Sequence, residues 1–124
     1  MILAIDCGNT NTVFALYSYK NGIKQEGCWR IYNNSKRTAD SYYPWLLQML
    51  TLSNIKIDDI SGICIASVVT ETLFNIKNLI KKYIKINLLV IDNNIFDLGL
   101  KVNIDNPEEA GADRLVNSFA AKCL

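Results

Sequence analysis

The chain has 124 residues, 50% of them hydrophobic and 20% charged, with 13 basic against 12 acidic side chains and a formal net charge of +1. That is enough for one domain with one core, since domains run to about 100–200 residues, and too little for two full domains enclosing a cleft. The charge balance argues against a dense phosphate footprint for nucleic acid, and the apolar content argues against a disordered solvating chain.

Residues 2–5 form a short apolar run of the kind a buried strand carries, and Asp6-Cys7-Gly8-Asn9-Thr10-Asn11 after it is turn chemistry. Residues 13–19, rich in β-branched and aromatic side chains, predict a second strand. Lys20-Asn21-Gly22 is a hairpin signal, and residues 25–31 predict a third strand that completes an antiparallel meander. Beyond the polar loop 33–37, Trp45, Leu46, Met49, Leu50 and Leu52 recur at helical spacing. Pro44 fits the first turn of that helix, with Ser41 as its N-cap, because a deeper proline loses a hydrogen bond and clashes. Residues 58–62 lead into an apolar strand over 63–69. Thr70 then caps an amphipathic helix whose stripe is Leu73, Ile76, Leu79, Ile80, Tyr83 and Ile84. Lys77, Lys81, Lys82 and Lys85 lie off the stripe as a solvated face. Residues 88–91 predict another buried strand, residues 100–104 a short one, and a last helix begins near Pro107 and runs to the end.

The resulting order, β-β-β-α-β-α-β-α, predicts an α/β fold with a mixed sheet and helices packed on it, a ribonuclease-H-like arrangement spanning residues 1–124 as a single domain. Its last helical stripe, Leu115, Val116, Phe119 and Ala120, stops at Leu124 without a capping signal, so the sequence is expected to be cut there.

Cys7, Cys28, Cys64 and Cys123 make no closely spaced pair, and the chain has no histidine. The usual zinc sites and any Ser-His or Cys-His catalytic pair are thereby excluded. Free thiols in this composition read as small hydrophobes of a cytoplasmic protein. Residues 1–6 lack the basic region of a signal peptide, and the longest apolar run, 63–69, is far below the ~20 residues of a spanning helix. A soluble protein with no membrane and no nucleic-acid partner is expected.

Two segments could carry chemistry. In the first, Asp6-Cys7-Gly8-Asn9-Thr10-Asn11-Thr12, a carboxylate at the end of a buried strand meets a tight glycine turn. Such a turn can hold a hydrated Mg²⁺ and offer amides and hydroxyls to phosphate oxygens; it can equally be a plain hairpin with local hydrogen bonds. The second is Asn106-Pro107-Glu108-Glu109-Ala110-Gly111-Ala112-Asp113-Arg114 at a helix start, where anions are favoured. Glu108 and Glu109 suit any first turn. Gly111 weakens a helix by roughly 1 kcal/mol relative to alanine and suggests a close approach to the backbone. Asp113 beside Arg114 is either a surface ion pair or a base next to an anion-binding cation.

Together, the motif DxGNTN on the first hairpin, the strand order and NPEExGADR at a later helix resemble type III pantothenate kinase, of the acetate and sugar kinase, heat-shock protein and actin superfamily. The resemblance runs through essentially the whole chain and includes Trp29-Arg30-Ile31, Arg37-Thr38-Ala39-Asp40, Ala66-Ser67-Val68-Val69 and Gly111-Ala112-Asp113-Arg114-Leu115-Val116-Asn117. Two positions differ from many members: Ile104 stands where a tyrosine is common, and Thr70 where proline is frequent.

The resemblance implies that Asp6, Cys7, Gly8, Asn9, Thr10, Asn11, Thr12 and Val13 form the first ATP phosphate loop, with Asp6 near a divalent cation such as Mg²⁺. It implies that Gly111, Ala112, Asp113 and Arg114 bind pantothenate, with Asp113 as catalytic base. The implied reaction is phosphoryl transfer from ATP to the primary hydroxyl of pantothenate, the first step towards coenzyme A. Family members are about twice as long, and their second domain brings a second phosphate loop and a monovalent-cation aspartate (for K⁺ or NH₄⁺). This chain thus resembles one half of the two-domain superfamily kinase fold, a homodimer in its full-length form and weakly active or inactive alone. The alternatives are a non-catalytic remnant or interaction module pairing with a separate second half, and a regulatory accessory protein.

Overall fold

In the computed structural model, which describes residues 1–91, the alternation of the first strand decides which sheet face is buried. β1 (Ile2–Cys7) turns Leu3, Ile5 and Cys7 into the core and Ile2, Ala4 and Asp6 to the opposite face. β2 (Asn11–Ser18) runs antiparallel to it and sets Leu16, Phe14 and Thr12 beside Leu3, Ile5 and Cys7 on the buried face. The chain reverses at Gly22, whose φ of +93° is a left-handed conformation that side chains disfavour, and β3 (Lys24–Tyr32) completes the meander. β4 (Gly62–Ser67) then joins the other side of β1 in parallel, and β5 (Leu88–Ile91) joins β4 in parallel. The five-stranded mixed sheet has the order β3-β2-β1-β4-β5.

Parallel neighbours need crossovers, and helices provide them. α1 (Ala39–Leu52) carries the chain from the β3 edge to β4, and α2 (Thr70–Leu79), continued by a wider turn Ile80–Ile84, carries it from β4 to β5. Tyr42, Leu46 and Leu50 of α1 and Ile76, Leu79 and Ile80 of the second crossover close one core over Leu3, Ile5, Phe14, Leu16, Ile63 and Ile65. At its centre the Phe14 ring meets Trp45 edge-on, with centroids 5.2 Å apart. The helix stripe expected over 73–84 is the stripe that packs. The β-β-β-α-β-α-β order is present through residue 91, as a ribonuclease-H-like arrangement requires. The strand expected at 100–104 and the helix from Pro107 lie outside the described residues.

Several boundaries differ from expectation. α1 begins at Ala39 with Thr38 as N-cap, not after Ser41, so Pro44 stands inside the helix. An interior proline costs about 3 kcal/mol or more, so what offsets it must come from the turn that the earlier start adds. Extending the helix to Ala39 further seats Ala39 and Tyr42 in the core. The second helix starts at Thr70 itself, and its N-cap is Val69. Upstream, the Ser67 hydroxyl accepts from the Val69 amide at 3.1 Å, and this turn ends β4 at Ser67 rather than at residue 69. A 3₁₀ turn over Ile57–Asp59, closed by Asp59 Oδ2 accepting from the Lys56 amide, was not expected.

Candidate phosphate-binding hairpin

β1 runs two residues past the apolar segment 2–5, so Asp6 and Cys7 belong to the strand and the turn is shorter than the sequence suggests. Asp6 pairs with Val13 on one side and Ala66 on the other; Cys7 pairs with Thr12 and Ser67. Only Gly8, Asn9 and Thr10 remain between β1 and β2. The Gly8 amide donates to the Asn11 carbonyl at 3.0 Å. A Cβ on Gly8 would stand 3.2 Å from that same oxygen, so any side chain there would push the Asn11 carbonyl away by a few tenths of an ångström. Asn9 and Thr10 are exposed at the tip, Asp6 is exposed beside it, and Thr12 is fully buried beneath.

One residue outside the hairpin holds it from below. Asn33, just after β3, donates its backbone amide to the Thr10 carbonyl at 2.8 Å. Its side-chain amide donates to the Gly8 carbonyl, and its side-chain oxygen accepts from the Thr12 hydroxyl at 2.7 Å. The sequence places Asn33 only in a polar loop. No spacing could have singled it out, because its side-chain partners lie 21 and 25 residues away.

The strand register draws a row across all five strands: Ile91, Ala66, Asp6, Val13 and Arg30. Alternation puts these on the face opposite the helices, so Asp6 and Arg30 share a face two strand spacings, about 10 Å, apart. The neighbouring segment Arg37-Thr38-Ala39-Asp40 braces the start of α1. Arg37 donates to the Tyr32 carbonyl and lies over the Tyr42 ring, 5.4 Å from its centroid. Asp40 accepts from Lys82 at 2.6 Å and from the Tyr83 hydroxyl, and these two donors hold its carboxyl below the usual carboxylate range.

Among the described residues no group of three or more His, Cys, Asp or Glu side chains is placed to hold a metal. The single carboxylate of Asp6 fits Mg²⁺ all the same, because that ion keeps several waters and binds through one or two carboxylates together with substrate phosphates.

The Cys7 thiol is fully buried, an environment that disfavours the reactive thiolate. Burial pushes its thiol up to about 11, although the hydroxyls of Thr12 and Ser67 pull it down. Burial also pushes up the Cys64 thiol, while Cys28 is exposed on the edge strand. Iodoacetamide at pH 8, followed by peptide mapping, is therefore expected to label Cys28 well before Cys7. Labelling of Cys7 first would contradict this account of the hairpin.

The structure thus brings Asp6, Cys7, Gly8, Asn9, Thr10, Asn11, Thr12 and Val13 into one hairpin at the end of the sheet. Gly111, Ala112, Asp113 and Arg114 lie outside the described residues. No helix among the described residues is long and apolar enough to cross a membrane.

The family model for type III pantothenate kinase matches residues 2–123. The type III pantothenate kinase of Paramagnetospirillum magneticum is 49% identical over 121 residues, covering 98% of this chain and 45% of that protein. That of Phenylobacterium zucineum is 45% identical over 121 residues, 98% of this chain and 46% of its own length. That of Maricaulis maris is 40% identical over 124 residues, 100% of this chain and 47% of its own length. The chain spans about half the length of the curated relatives it matches.

Proposed function

We propose that this chain, which belongs to the type III pantothenate kinase family, supplies the first phosphate-gripping domain of an enzyme that phosphorylates pantothenate with ATP on the route to coenzyme A. The observation that carries the reading is the family match over residues 2–123; the hairpin geometry supports it. A carboxylate exposed at the end of β1, next to a turn whose tip residues are exposed, has the form of a site for a triphosphate and its cation.

In this reading residues 1–124 form one ribonuclease-H-like domain, and a second domain closes the nucleotide site. Asn9 and Thr10 at the tip meet phosphate oxygens through amides and side chains, and Asp6 holds the waters of Mg²⁺. When bound, the ion neutralises charge on the phosphates. Asp113 accepts the proton of the pantothenate hydroxyl and orients the oxygen for in-line attack, while Gly111, Ala112 and Arg114 hold that substrate. A monovalent cation, K⁺ or NH₄⁺, binds through the second domain. The complete protein works in the cytoplasm as a homodimer.

The test is ADP release driven by pantothenate in the presence of Mg²⁺-ATP. It is run on this chain alone and on the chain mixed with a separately produced second half from a relative. Pantothenate-dependent ADP release is expected with both halves and little or none with residues 1–124 alone, because a second domain would be needed to close the site and exclude water. A stable complex of the two halves whose ADP release ignores pantothenate would overturn the kinase reading in favour of an interaction module.

A further inference from the structure

We infer that Asn33 is a positioning residue that decides which electrostatic face the hairpin turns to an anion. The inference rests on the reading of residues 6–13 as the phosphate grip and goes beyond it, because Asn33 lies on another strand end and outside the motif. Its side-chain amide and backbone amide take the carbonyls of Gly8 and Thr10, one on each side of Asn9. The described chain has no cis peptide bond. In a trans peptide the carbonyl and the following N–H point in opposite directions. Drawing the Gly8 carbonyl towards Asn33 therefore turns the Asn9 amide away from Asn33, towards the exposed side of the turn.

Both bonds hold carbonyl oxygens, which would repel a phosphate, on the protein side. The third bond, from the fully buried Thr12 hydroxyl at 2.7 Å, fixes the amide group of Asn33 in the orientation that makes this possible. Only a side chain with one donor and one acceptor at this spacing serves both Gly8 and Thr12. Aspartate has nearly the same shape, but its second oxygen would face the Gly8 carbonyl and bring negative charge to an anion site.

The experiment compares Asn33→Ala and Asn33→Asp with the unaltered chain in two measurements. The first is the amide chemical shifts and hydrogen exchange of Gly8, Asn9 and Thr10 in this chain, with Mg²⁺-ATP as the titrated probe. The second is the separate KM values for ATP and pantothenate in the active two-half assembly. Both variants are expected to shift the loop amides. Alanine should raise the KM for ATP about tenfold, the loss that goes with an unsatisfied buried partner, and aspartate should raise it further. The KM for pantothenate should stay within about twofold, since among the described residues the affected bonds run to Gly8 and Thr12 of the hairpin.

A residue that merely fills space would show the reverse order, with aspartate close to the unaltered chain. Loop amides unmoved in both variants, or equal changes in the two KM values, would overturn the inference. If the unaltered chain and assembly bind no nucleotide, it is the kinase reading that fails. The loop shifts would still decide whether Asn33 holds the turn.

Discussion

Replacing Asp6 by asparagine is expected to lower kcat/KM for ATP about 100-fold or more, a loss of about 2.7 kcal/mol in transition-state stabilisation. The substitution is nearly isosteric, and the pairing of residue 6 with Val13 and Ala66 is made by backbone, so the hairpin should keep its shape. What disappears is the carboxylate charge at the end of β1 through which the proposed site would recognise a hydrated Mg²⁺. The deficit should shrink as Mg²⁺ is raised, because the weakened step is capture of the ion with its nucleotide. Steady-state rates over a matrix of ATP and Mg²⁺ concentrations, with a thermal melt as the fold control, measure both effects. Wild-type Mg²⁺ dependence in an otherwise normal variant would remove Asp6 from the metal site.

The parts of this fold that could be read from sequence are those set by local period and local turn chemistry. The apolar run of β1, the β-branched and aromatic run of β2, the Asn21-Gly22 reversal and the Leu73–Ile76–Leu79–Ile80 stripe each depend on neighbours a few residues away, and each element is present, although β1 runs on to Cys7 and β2 covers Asn11–Ser18 instead of 13–19. The start of α1 did not follow the same rule. Pro44 is a local signal for a helix start, but Ala39 and Tyr42 reach the core only if the helix begins earlier, and burial against the distant sheet outweighs the proline. The site divides in the same way. Asp6 and the glycine turn were legible because they are contiguous. Asn33 was not, because its significance comes from β3 folding back beside β1 and β2, a pairing no short window contains. The face shared by Asp6 and Arg30 likewise emerges only from the register of three strands.

Asp113→Asn should separate the chemistry from the grip. If Asp113 accepts the proton of the pantothenate hydroxyl, the amide cannot replace it, and general-base loss costs about 10²–10⁴-fold in turnover. ATP affinity should remain close to that of the unaltered protein, because residues 6–13 and Asn33 are untouched. The Asp6 and Asp113 variants then give opposite signatures in one assay. The first responds to Mg²⁺ and shows itself in the ATP term; the second is insensitive to Mg²⁺ and shows itself in kcat. In the two-half assembly, single-turnover rates with both substrates saturating isolate that difference from product release. An Asp113→Asn protein that turns over pantothenate at the normal rate would strip Asp113 of the role of base. The proposed nucleotide grip at Asp6 would stand unaffected, since it rests on a different segment.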